Sequence, residues 1–414
     1  MGAADNALVR VPVPPGPRGV ELLLTEASAA LDGSGPAIAL VPTAGPTVSD
    51  TYVTSVVRAV LGSASSPRVE TAVAVVIATS GSTGNPRGVE LTAAALTHAT
   101  PAIHDGLRPC WVAALPLTSI GGFNVVVRAL HTGIAPIAID SLGGAGPFTA
   151  RGFADAVDAA HATGNPVFTS LVPAQLPRLL ADERGTEALL SCARVLVGGA
   201  PLRRSLASTC QDLGITLSTT YGMTETAGGC VIDGLPLPGV GVQIHDSDET
   251  GTGRIVLTGP TIAQRYREDE VATDAAFIDG AFFTPDLGFL RMNAGGQHLT
   301  VVGRVDDVVI VSGVNVSVSA VESVIADYPD ISAAAVIDAS QGDAEPELHA
   351  FIVCDAHDLD TAAVRARVAE RLGAAARPHH LWMIDRLPYL PNGKIDRLLL
   401  QQRAREEKRD GSSK

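Results

Sequence analysis

Short apolar runs alternate with amphipathic segments from Trp111 to Thr220. Runs typical of buried strands, such as Val167 to Ser170 and Arg194 to Val197, are followed by segments with helical spacing, such as Pro201 to Leu213. Strands that alternate with helices at this spacing predict an α/β fold with parallel strands. Sheets of that kind bind ligands beyond the carboxyl ends of their strands, so we expect binding residues in the loops at those ends.

The pattern before Thr71 is less regular. Apolar residues at helical spacing from Gly19 to Leu31 predict a helix, and the apolar run from Pro36 to Pro42 predicts a strand. The proline-rich stretch from Val11 to Gly19 is expected to wrap the surface.

The second half of the chain has a different pattern of apolar residues, with few segments at helical spacing. Val240 to Leu290 contains short strand-like runs separated by glycines, which predicts a β-rich subdomain. The charged end, Gln401 to Lys414, is expected to fray. We therefore expect an α/β protein with a large N-terminal domain of parallel α/β sheets plus the β-rich subdomain, residues 1–303, and a smaller mobile α+β C-terminal domain, residues 304–414.

Composition narrows the class of protein. The 414 residues are 46% hydrophobic, which is enough for more than one domain, and the net charge of −14 disfavours broad binding of nucleic acids or anionic membranes. The five cysteines form no Cys-x-x-Cys pair, so neither structural zinc nor a disulfide framework is expected. Neither a signal peptide nor a stretch of the ~20 apolar residues that a membrane span needs is visible, so we expect a cytoplasmic protein without stable membrane insertion.

The stretch richest in candidate chemistry is Ala78-Thr-Ser-Gly-Ser-Thr-Gly-Asn-Pro-Arg-Gly-Val89, directly after a strand-like run. Its glycines let the backbone approach a ligand, and its N–H groups and hydroxyls make a concavity suited to phosphate oxygens. The Walker A motif of P-loop nucleoside triphosphatases is absent, because Val89 follows Gly88 where that motif needs lysine. A glycine- and serine-rich surface loop is the simpler alternative. The candidate phosphate-binding residues are Thr79, Ser80, Gly81, Ser82, Thr83, Gly84 and Arg87.

This loop resembles the phosphate loop of the adenylate-forming enzymes, which include acyl-CoA synthetases, adenylation domains and luciferases. One position differs, since Arg87 stands where the family carries lysine, which keeps the charge and changes the donor geometry. Ser218 to Thr226 resembles the family's Tyr-Gly-x-Thr-Glu motif. The resemblance implies that Thr220, Tyr221 and Gly222 contact the nucleotide, with Tyr221 against adenine, that Thr224 contacts the adenylate phosphate, and that Glu225 is the Mg²⁺ ligand.

Four shorter motifs complete the set of six, all six lie in the family's order, and together they make the resemblance specific. Each motif alone is typical of an ordinary turn, cap or surface residue. The resemblance implies an adenine-pocket loop at Gly199, Ala200 and Pro201, a ribose clamp at Asp286, a nucleotide contact at Arg304, a hinge at Asp306 and a catalytic lysine at Lys394.

Several peptides resemble one group of this family, the 2-succinylbenzoate–CoA ligases of menaquinone synthesis, and its actinobacterial members in particular. Two of them are Leu91-Thr-Ala-Ala-Ala-Leu96 and Thr169-Ser-Leu-Val-Pro-Ala-Gln-Leu176. The resemblance implies an AMP-forming acid–thiol ligase that uses ATP, Mg²⁺ and CoA on a small carboxylic acid. It leaves open another aryl- or short fatty acid–CoA ligase, a stand-alone adenylation enzyme that loads a carrier protein, a non-catalytic nucleotide sensor, and a homodimer.

The acid pocket is expected beside Leu115 to Leu130. Ser119 stands where relatives usually carry a histidine, and Gly122 follows it in the same loop. Arg128 is a charge in an otherwise apolar run, and such a charge is costly unless it is paired. Because 2-succinylbenzoate keeps a second carboxylate that is not activated, we expect Arg128 to bind it with its guanidinium fork. The alternatives are an arginine that reaches solvent or pairs with a carboxylate of the protein.

Overall fold

The computed structural model describes residues 5–45, 48–79, 86–293, 296–305, 307–312, 314–340, 346–354, 359–388 and 395–411. Within these residues the chain forms two large sheets with flanking helices, a third antiparallel sheet, and a small α+β part at its C-terminal end. The predicted fold class is confirmed. The predicted site residues that lie outside the described part are Ser80, Gly81, Ser82, Thr83, Gly84, Asp306 and Lys394, whose roles stay predictions.

The first sheet comes from the N-terminal part of the chain. Its strands are β1 (Asp5–Val13), β2 (Ala37–Pro42), β3 (Arg68–Glu70), β4 (Val73–Ala78) and β5 (Gly88–Thr92). They lie in the order β5-β4-β2-β1-β3, with β1, β2 and β4 parallel to one another and β5 antiparallel to β4. The accompanying helices are α1 (Pro17–Asp32), α2 (Asp50–Leu61), α3 (Ala93–His98) and α4 (Thr100–His104).

The expectation that Val11 to Gly19 wraps the surface is confirmed for the exposed Pro12, Pro15, Pro17 and Arg18 and is wrong for Val11 and Val13. Val11 and Val13 are buried in β1, because the parallel partner β2 takes up the backbone groups of that segment. Pro17 opens α1, where its missing N–H costs no helical hydrogen bond. The prolines therefore mark the boundary between a strand and a helix.

The second sheet contains the predicted alternation. Its strands are β6 (Cys110–Ala113), β7 (Ile137–Ala138), β8 (Val167–Leu171), β9 (Arg194–Gly198), β10 (Leu217–Met223), β11 (Gly228–Ile232) and β12 (Leu235–Pro236). The order is β12-β11-β10-β9-β8-β6-β7, and the strands from β6 to β10 are parallel. The helices are α5 (Ile120–Thr132), α6 (Ala150–His161), α7 (Leu176–Leu180), α8 (Glu183–Ser191) and α9 (Arg204–Asp212).

The third sheet confirms the predicted β-rich part. It contains β13 (Gly241–His245) and β14 (Gly253–Thr258) and, after β15 (Arg265–Tyr266) and α10 (Glu270–Ala276), the strands β16 (Phe277–Ile278), β17 (Ala281–Asn293) and β18 (Gly296–Arg304). Its pairings are antiparallel. β15 is not part of this sheet. It pairs with β5 of the first sheet, so the segment around Tyr266 lies next to the end of the candidate phosphate loop.

The C-terminal part has its own core. It is built from β19 (Val308–Val311), β20 (Val314–Ser317), α11 (Val318–Ala326), β21 (Ile331–Asp338), β22 (Leu348–Cys354), α12 (Thr361–Leu372), β23 (His380–Met383) and α13 (Arg397–Gly411). The expectation that the chain frays from Gln401 is wrong as far as Gly411, because Leu400 and Ala404 are buried in this core and hold α13 on the sheet.

One large hydrophobic core surrounds the elements that carry the candidate site. It contains residues of both large sheets together with α1 and α5, so that most side chains of α5 lie in the interior. Arg203 connects the N-terminal part to the C-terminal part, since its Nη1 donates to the carbonyl oxygens of Ala326 at 3.5 Å and Ile331 at 3.2 Å.

No helix of the described residues is both long enough and apolar enough to cross a bilayer.

Candidate active site

The ends of the phosphate loop are fastened together. Thr79 donates its backbone N–H to the carbonyl oxygen of Arg87 at 2.7 Å, and Arg87 donates its own N–H to Thr79 Oγ1 at 3.0 Å. The loop therefore joins two antiparallel strands, β4 and β5, and does not lead from a strand into a helix. Gly88 has no room for a side chain, because an added Cβ would lie 2.2 Å from the carbonyl oxygen of Ala59.

Arg87 and Glu225 meet at one tyrosine that no motif predicted. The Tyr266 hydroxyl donates to Glu225 Oε1 at 2.8 Å, and the Arg87 guanidinium carbon lies 5.4 Å from the centroid of the Tyr266 ring. Arg87 Nε also donates to Asp269 Oδ2 at 3.2 Å. Burial, reinforced by the Glu225 carboxylate, raises the pKa of Tyr266, so the tyrosine stays a neutral hydrogen-bond donor. We call Arg87, Glu225, Tyr266 and Asp269 the Tyr266 cluster.

A short turn presents Thr224 and Glu225. The 3₁₀ turn Thr224–Thr226 ends at Ala227, whose φ of 52° is left-handed, and Asn124 of α5 donates to the Ala227 carbonyl oxygen at 2.9 Å. Gly228 follows, where an added Cβ would lie 2.2 Å from the Asn124 amide nitrogen. Asn124 therefore fixes this turn against α5, a role that the sequence does not reveal.

The residues present suit magnesium held jointly with a nucleotide. Among the described residues, no group of three or more histidine, cysteine, aspartate or glutamate side chains is placed to hold a metal ion. Protein sites for Mg²⁺ bound with ATP use one or two carboxylates, with phosphate oxygens supplying further ligands. The half-buried Glu225 is a carboxylate suited to that arrangement.

Tyr221, Asp286 and Arg304 come together although they are far apart in sequence, and we call them the nucleotide cluster. The Tyr221 hydroxyl donates to Asp286 Oδ2 at 2.9 Å, and Arg304 Nη1 lies 3.8 Å from Asp286 Oδ1. Asp286 and Arg304 are directly opposite each other in β17 and β18. Asp286 is 9% exposed, and burial and the Asp286 charge raise the pKa of Tyr221.

The predicted adenine loop lies beside the same strand. Gly198 is paired with Thr220 in the β9–β10 register, and a Cβ on Gly198 would lie 2.2 Å from Thr220 Oγ1. Gly199 has a φ of +78°, which glycine adopts readily, and Ala200 and Pro201 after it are exposed. The loop therefore leaves an accessible edge next to the Tyr221 strand. Gly222 is equally restricted, since its Cβ would meet the Gly228 carbonyl oxygen at 2.0 Å.

The loop before α5 is built by Ser119 and Gly122. Ser119 caps α5, with its Oγ donating to the Pro116 carbonyl oxygen at 2.7 Å and accepting from the Gly122 N–H at 3.3 Å. A Cβ on Gly122 would lie 2.1 Å from the same carbonyl oxygen. Both residues therefore set the backbone of the loop, and their contact with a substrate stays a prediction.

Arg128 is buried without a carboxylate. It is 6% exposed, so it does not reach solvent, and none of the described carboxylates forms an ion pair with it. Its guanidinium carbon lies 5.0 Å from the Trp111 ring centroid, and its Nη1 lies 3.5 Å from Ser170 Oγ. Burial lowers the pKa of Arg128 to about 10, so it remains charged at neutral pH. We call Trp111, Arg128 and Ser170 the acid-site cluster.

Ser170, which Arg128 contacts, lies near the carboxyl end of β8, the edge at which open parallel sheets bind ligands. Trp111, over which the guanidinium lies, is near the amino end of β6. Contact of Arg128 with an acid at the predicted pocket therefore stays a prediction.

The fold is that of an AMP-binding enzyme, and the comparison with protein families shows the same class. The family model described as AMP-binding enzyme matches residues 20–267, and that of the AMP-binding enzyme C-terminal domain matches residues 320–394. The chain belongs to this family.

More particular relatives share one name. A probable 2-succinylbenzoate–CoA ligase of Mycobacterium tuberculosis is 35% identical over 389 residues, which cover 92% of this chain and 95% of that protein. The 2-succinylbenzoate–CoA ligase of Geobacillus kaustophilus is 30% identical over 76% of this chain and 66% of its own length.

Two solved structures share the fold. The o-succinylbenzoate CoA synthetase of Bacillus subtilis, in complex with its acyl-adenylate intermediate, matches with a TM-score of 0.70 at 22% identity, covering 94% of this chain and 87% of that one. The amide bond synthetase of Marinactinospora thermotolerans matches with a TM-score of 0.68 at 23% identity, covering 93% and 77%. At these identities the likeness shows the fold alone.

Proposed function

We propose that this protein is an ATP-dependent 2-succinylbenzoate–CoA ligase that acts through an acyl-adenylate in menaquinone synthesis. The relative at 35% identity, which spans nearly the whole chain, carries that name. The observation in the structure that favours this acid over a monocarboxylic acid is Arg128, a buried cation that no described carboxylate neutralises. We further propose that it acts in the cytoplasm.

In the first half-reaction the succinyl carboxylate attacks the α-phosphorus of ATP and pyrophosphate leaves. The proposed nucleotide contacts are Asp286 with the ribose hydroxyls, Arg304 beside it, and Tyr221 against adenine, with the exposed Gly199 loop on the other side. Glu225 would hold Mg²⁺, and the bound ion would offset the negative charge of the phosphates. The proposed phosphate donors are Arg87, the loop from Thr79 and Lys394, because donors placed where charge develops contribute most to catalysis.

In the second half-reaction the CoA thiol attacks the acyl carbonyl carbon and AMP leaves. We propose that the C-terminal domain rotates about Asp306 between the two steps, which removes Lys394 and admits the thiol. The contacts of Arg203 with Ala326 and Ile331 bridge the two parts and would have to break in such a rotation.

The test is ATP–pyrophosphate exchange over a panel of acids, followed by AMP release with and without CoA. We expect exchange with 2-succinylbenzoate and AMP release that requires free CoA. Exchange only with other aryl or short fatty acids would replace the proposed substrate. AMP release that needs a carrier protein or an amine would replace the proposed acceptor, and ATP binding without exchange would indicate a sensor.

A further inference from the structure

The indole under Arg128 is itself held by a buried histidine. Trp111 is fully buried, and its Nε1–H donates to His104 Nε2 at 3.1 Å. His104 lies at the C-terminal end of α4 and is 2% exposed. A chain of contacts therefore runs from His104 through Trp111 to the guanidinium of Arg128.

The chemistry of this chain requires a neutral histidine. An indole nitrogen only donates, so His104 Nε2 must be the unprotonated nitrogen that accepts. Burial, with smaller contributions from His131 and Arg128, lowers the pKa of His104 to about 4. The histidine is therefore uncharged at neutral pH, adds no positive charge beside Arg128, and fixes the indole through one hydrogen bond.

The position of the Arg128 guanidinium depends on the Trp111 ring. An arginine side chain has many rotamers, and its other described polar contact, to Ser170 Oγ, is long at 3.5 Å. The planar guanidinium is attracted to the face of an aromatic ring. The face of Trp111 thus sets where the guanidinium lies, and His104 sets how the indole lies.

We propose that Trp111 and His104 are positioning residues that hold Arg128 ready for the second carboxylate of the acid, and so set the selectivity for a dicarboxylate. The inference rests on the proposed function. Neither residue is assigned a contact with substrate. Both act through Arg128, so their loss should affect binding of the acid and leave ATP binding and the chemical step largely unchanged.

The first test compares KM values for 2-succinylbenzoate and for 4-oxo-4-phenylbutanoate, the same acid without its ring carboxylate. His104→Leu removes the acceptor, and Trp111→Phe keeps a ring but removes the N–H. We expect each to raise the KM for the dicarboxylate by about tenfold, because a ring that is no longer held in place gives a weaker cation–π contact with Arg128. The KM for the monocarboxylate and for ATP, and the kcat, should change less than about twofold. His104→Gln, which retains an acceptor, should restore most of the selectivity.

The molecule supplies a matched control. Trp382 Nε1 donates to His349 Nδ1 at 3.2 Å in the C-terminal part, so it makes the same kind of bond away from Arg128. Trp382→Phe should leave all KM values unchanged. If it raised the KM for the dicarboxylate as much as Trp111→Phe does, or if Trp111→Phe and His104→Leu left the preference for the dicarboxylate intact, the inference would be overturned.

A second readout separates this inference from the proposed function. The chain has two tryptophans, so Trp382→Phe leaves the Trp111 indole N–H as a single ¹⁵N-labelled resonance. We expect Arg128→Leu and His104→Leu each to shift that resonance. If the wild-type enzyme does not activate 2-succinylbenzoate, the proposed function fails, and the positioning role is judged by this signal alone. A resonance unmoved by both substitutions would contradict it.

Discussion

The nucleotide cluster and the acid-site cluster deal with buried charge in opposite ways. In the nucleotide cluster the Asp286 carboxylate accepts from the Tyr221 hydroxyl and lies 3.8 Å from Arg304, so its charge is met inside the protein. In the acid-site cluster Arg128 is as deeply buried, yet an indole face and a serine hydroxyl are its described partners. Among the described residues, the first region therefore contains a counter-ion for its buried charge and the second does not.

We propose that the difference reflects the ligand that each region binds. A ribose is neutral, so a carboxylate that clamps it needs protein groups to fix its position and balance its charge. A carboxylate ligand brings its own charge, so the arginine that binds it can remain without a protein counter-ion, at a cost in desolvation that binding offsets. We therefore propose that ATP binding and acid selection lie in these two separate regions.

The largest expected effect lies outside both clusters. Lys394→Ala should lower the rate of adenylation by about 10²–10³, the usual loss for a donor that stabilises developing charge. Thioester formation from supplied acyl-adenylate and CoA should be spared. Rapid-quench measurement of both half-reactions checks this, and an equal fall in the two would contradict the rotation between steps.

Arg128→Leu tests the acid-site cluster directly. We expect the KM for 2-succinylbenzoate to rise by about a hundredfold or more, because a buried ion pair that loses one partner costs about 3–5 kcal/mol. The KM for ATP should be unchanged. Arg194→Leu is the control, since Arg194 also lies over an aromatic ring, that of Phe168, but donates to the Ile103 carbonyl oxygen. Similar rises in the two variants would remove the special role of Arg128.

Asp286→Asn tests the nucleotide cluster. The amide keeps the shape and loses the charge that faces Arg304 and the proposed ribose hydroxyls, so the KM for ATP should rise by about tenfold, as for the loss of a hydrogen bond to a charged group. The KM for the acid should not change. A rise in the KM for the acid with no effect on ATP would reverse the assignment of the two regions.

Tyr266→Phe is expected to have the smallest effect. It removes the hydroxyl that orients Glu225 and keeps the ring beneath Arg87, so the apparent affinity for Mg²⁺ should fall by about threefold. A titration of activity with Mg²⁺ at saturating ATP and acid measures it. Tyr328→Phe, at a ring beneath Arg367 in the C-terminal part, is the control. Tighter Mg²⁺ binding would mean that Tyr266 competes for Glu225.

The elements with regular periodicity could be predicted from sequence, and so could those site residues that lie in short motifs. The helices α1 and α9 and the strands β2, β8 and β9 confirm the pattern. The strand β1 and the helix α13 could not be predicted, because their stability comes from pairing with β2 and from packing against β21. Long-range partners override local composition in both cases.

The missed site residues share one cause. Tyr266 contacts Glu225 across 41 positions in the sequence, and Asn124 holds Ala227 across 103. Neither lies in a motif, and the folding of β15 back onto β5 decides where Tyr266 lies. Arg128 was predictable, because a single charge in an apolar helical run is visible in the sequence, but its support by Trp111 required the packing of α5 on β6.

The most direct test of the account is the wild-type specificity ratio. ATP–pyrophosphate exchange is measured with 2-succinylbenzoate and with 4-oxo-4-phenylbutanoate, which differ only in the carboxylate assigned to Arg128. We expect kcat/KM to be higher for the dicarboxylate by about a hundredfold and Arg128→Leu to remove most of this preference. Equal kcat/KM values for the two acids in the wild-type enzyme would contradict it.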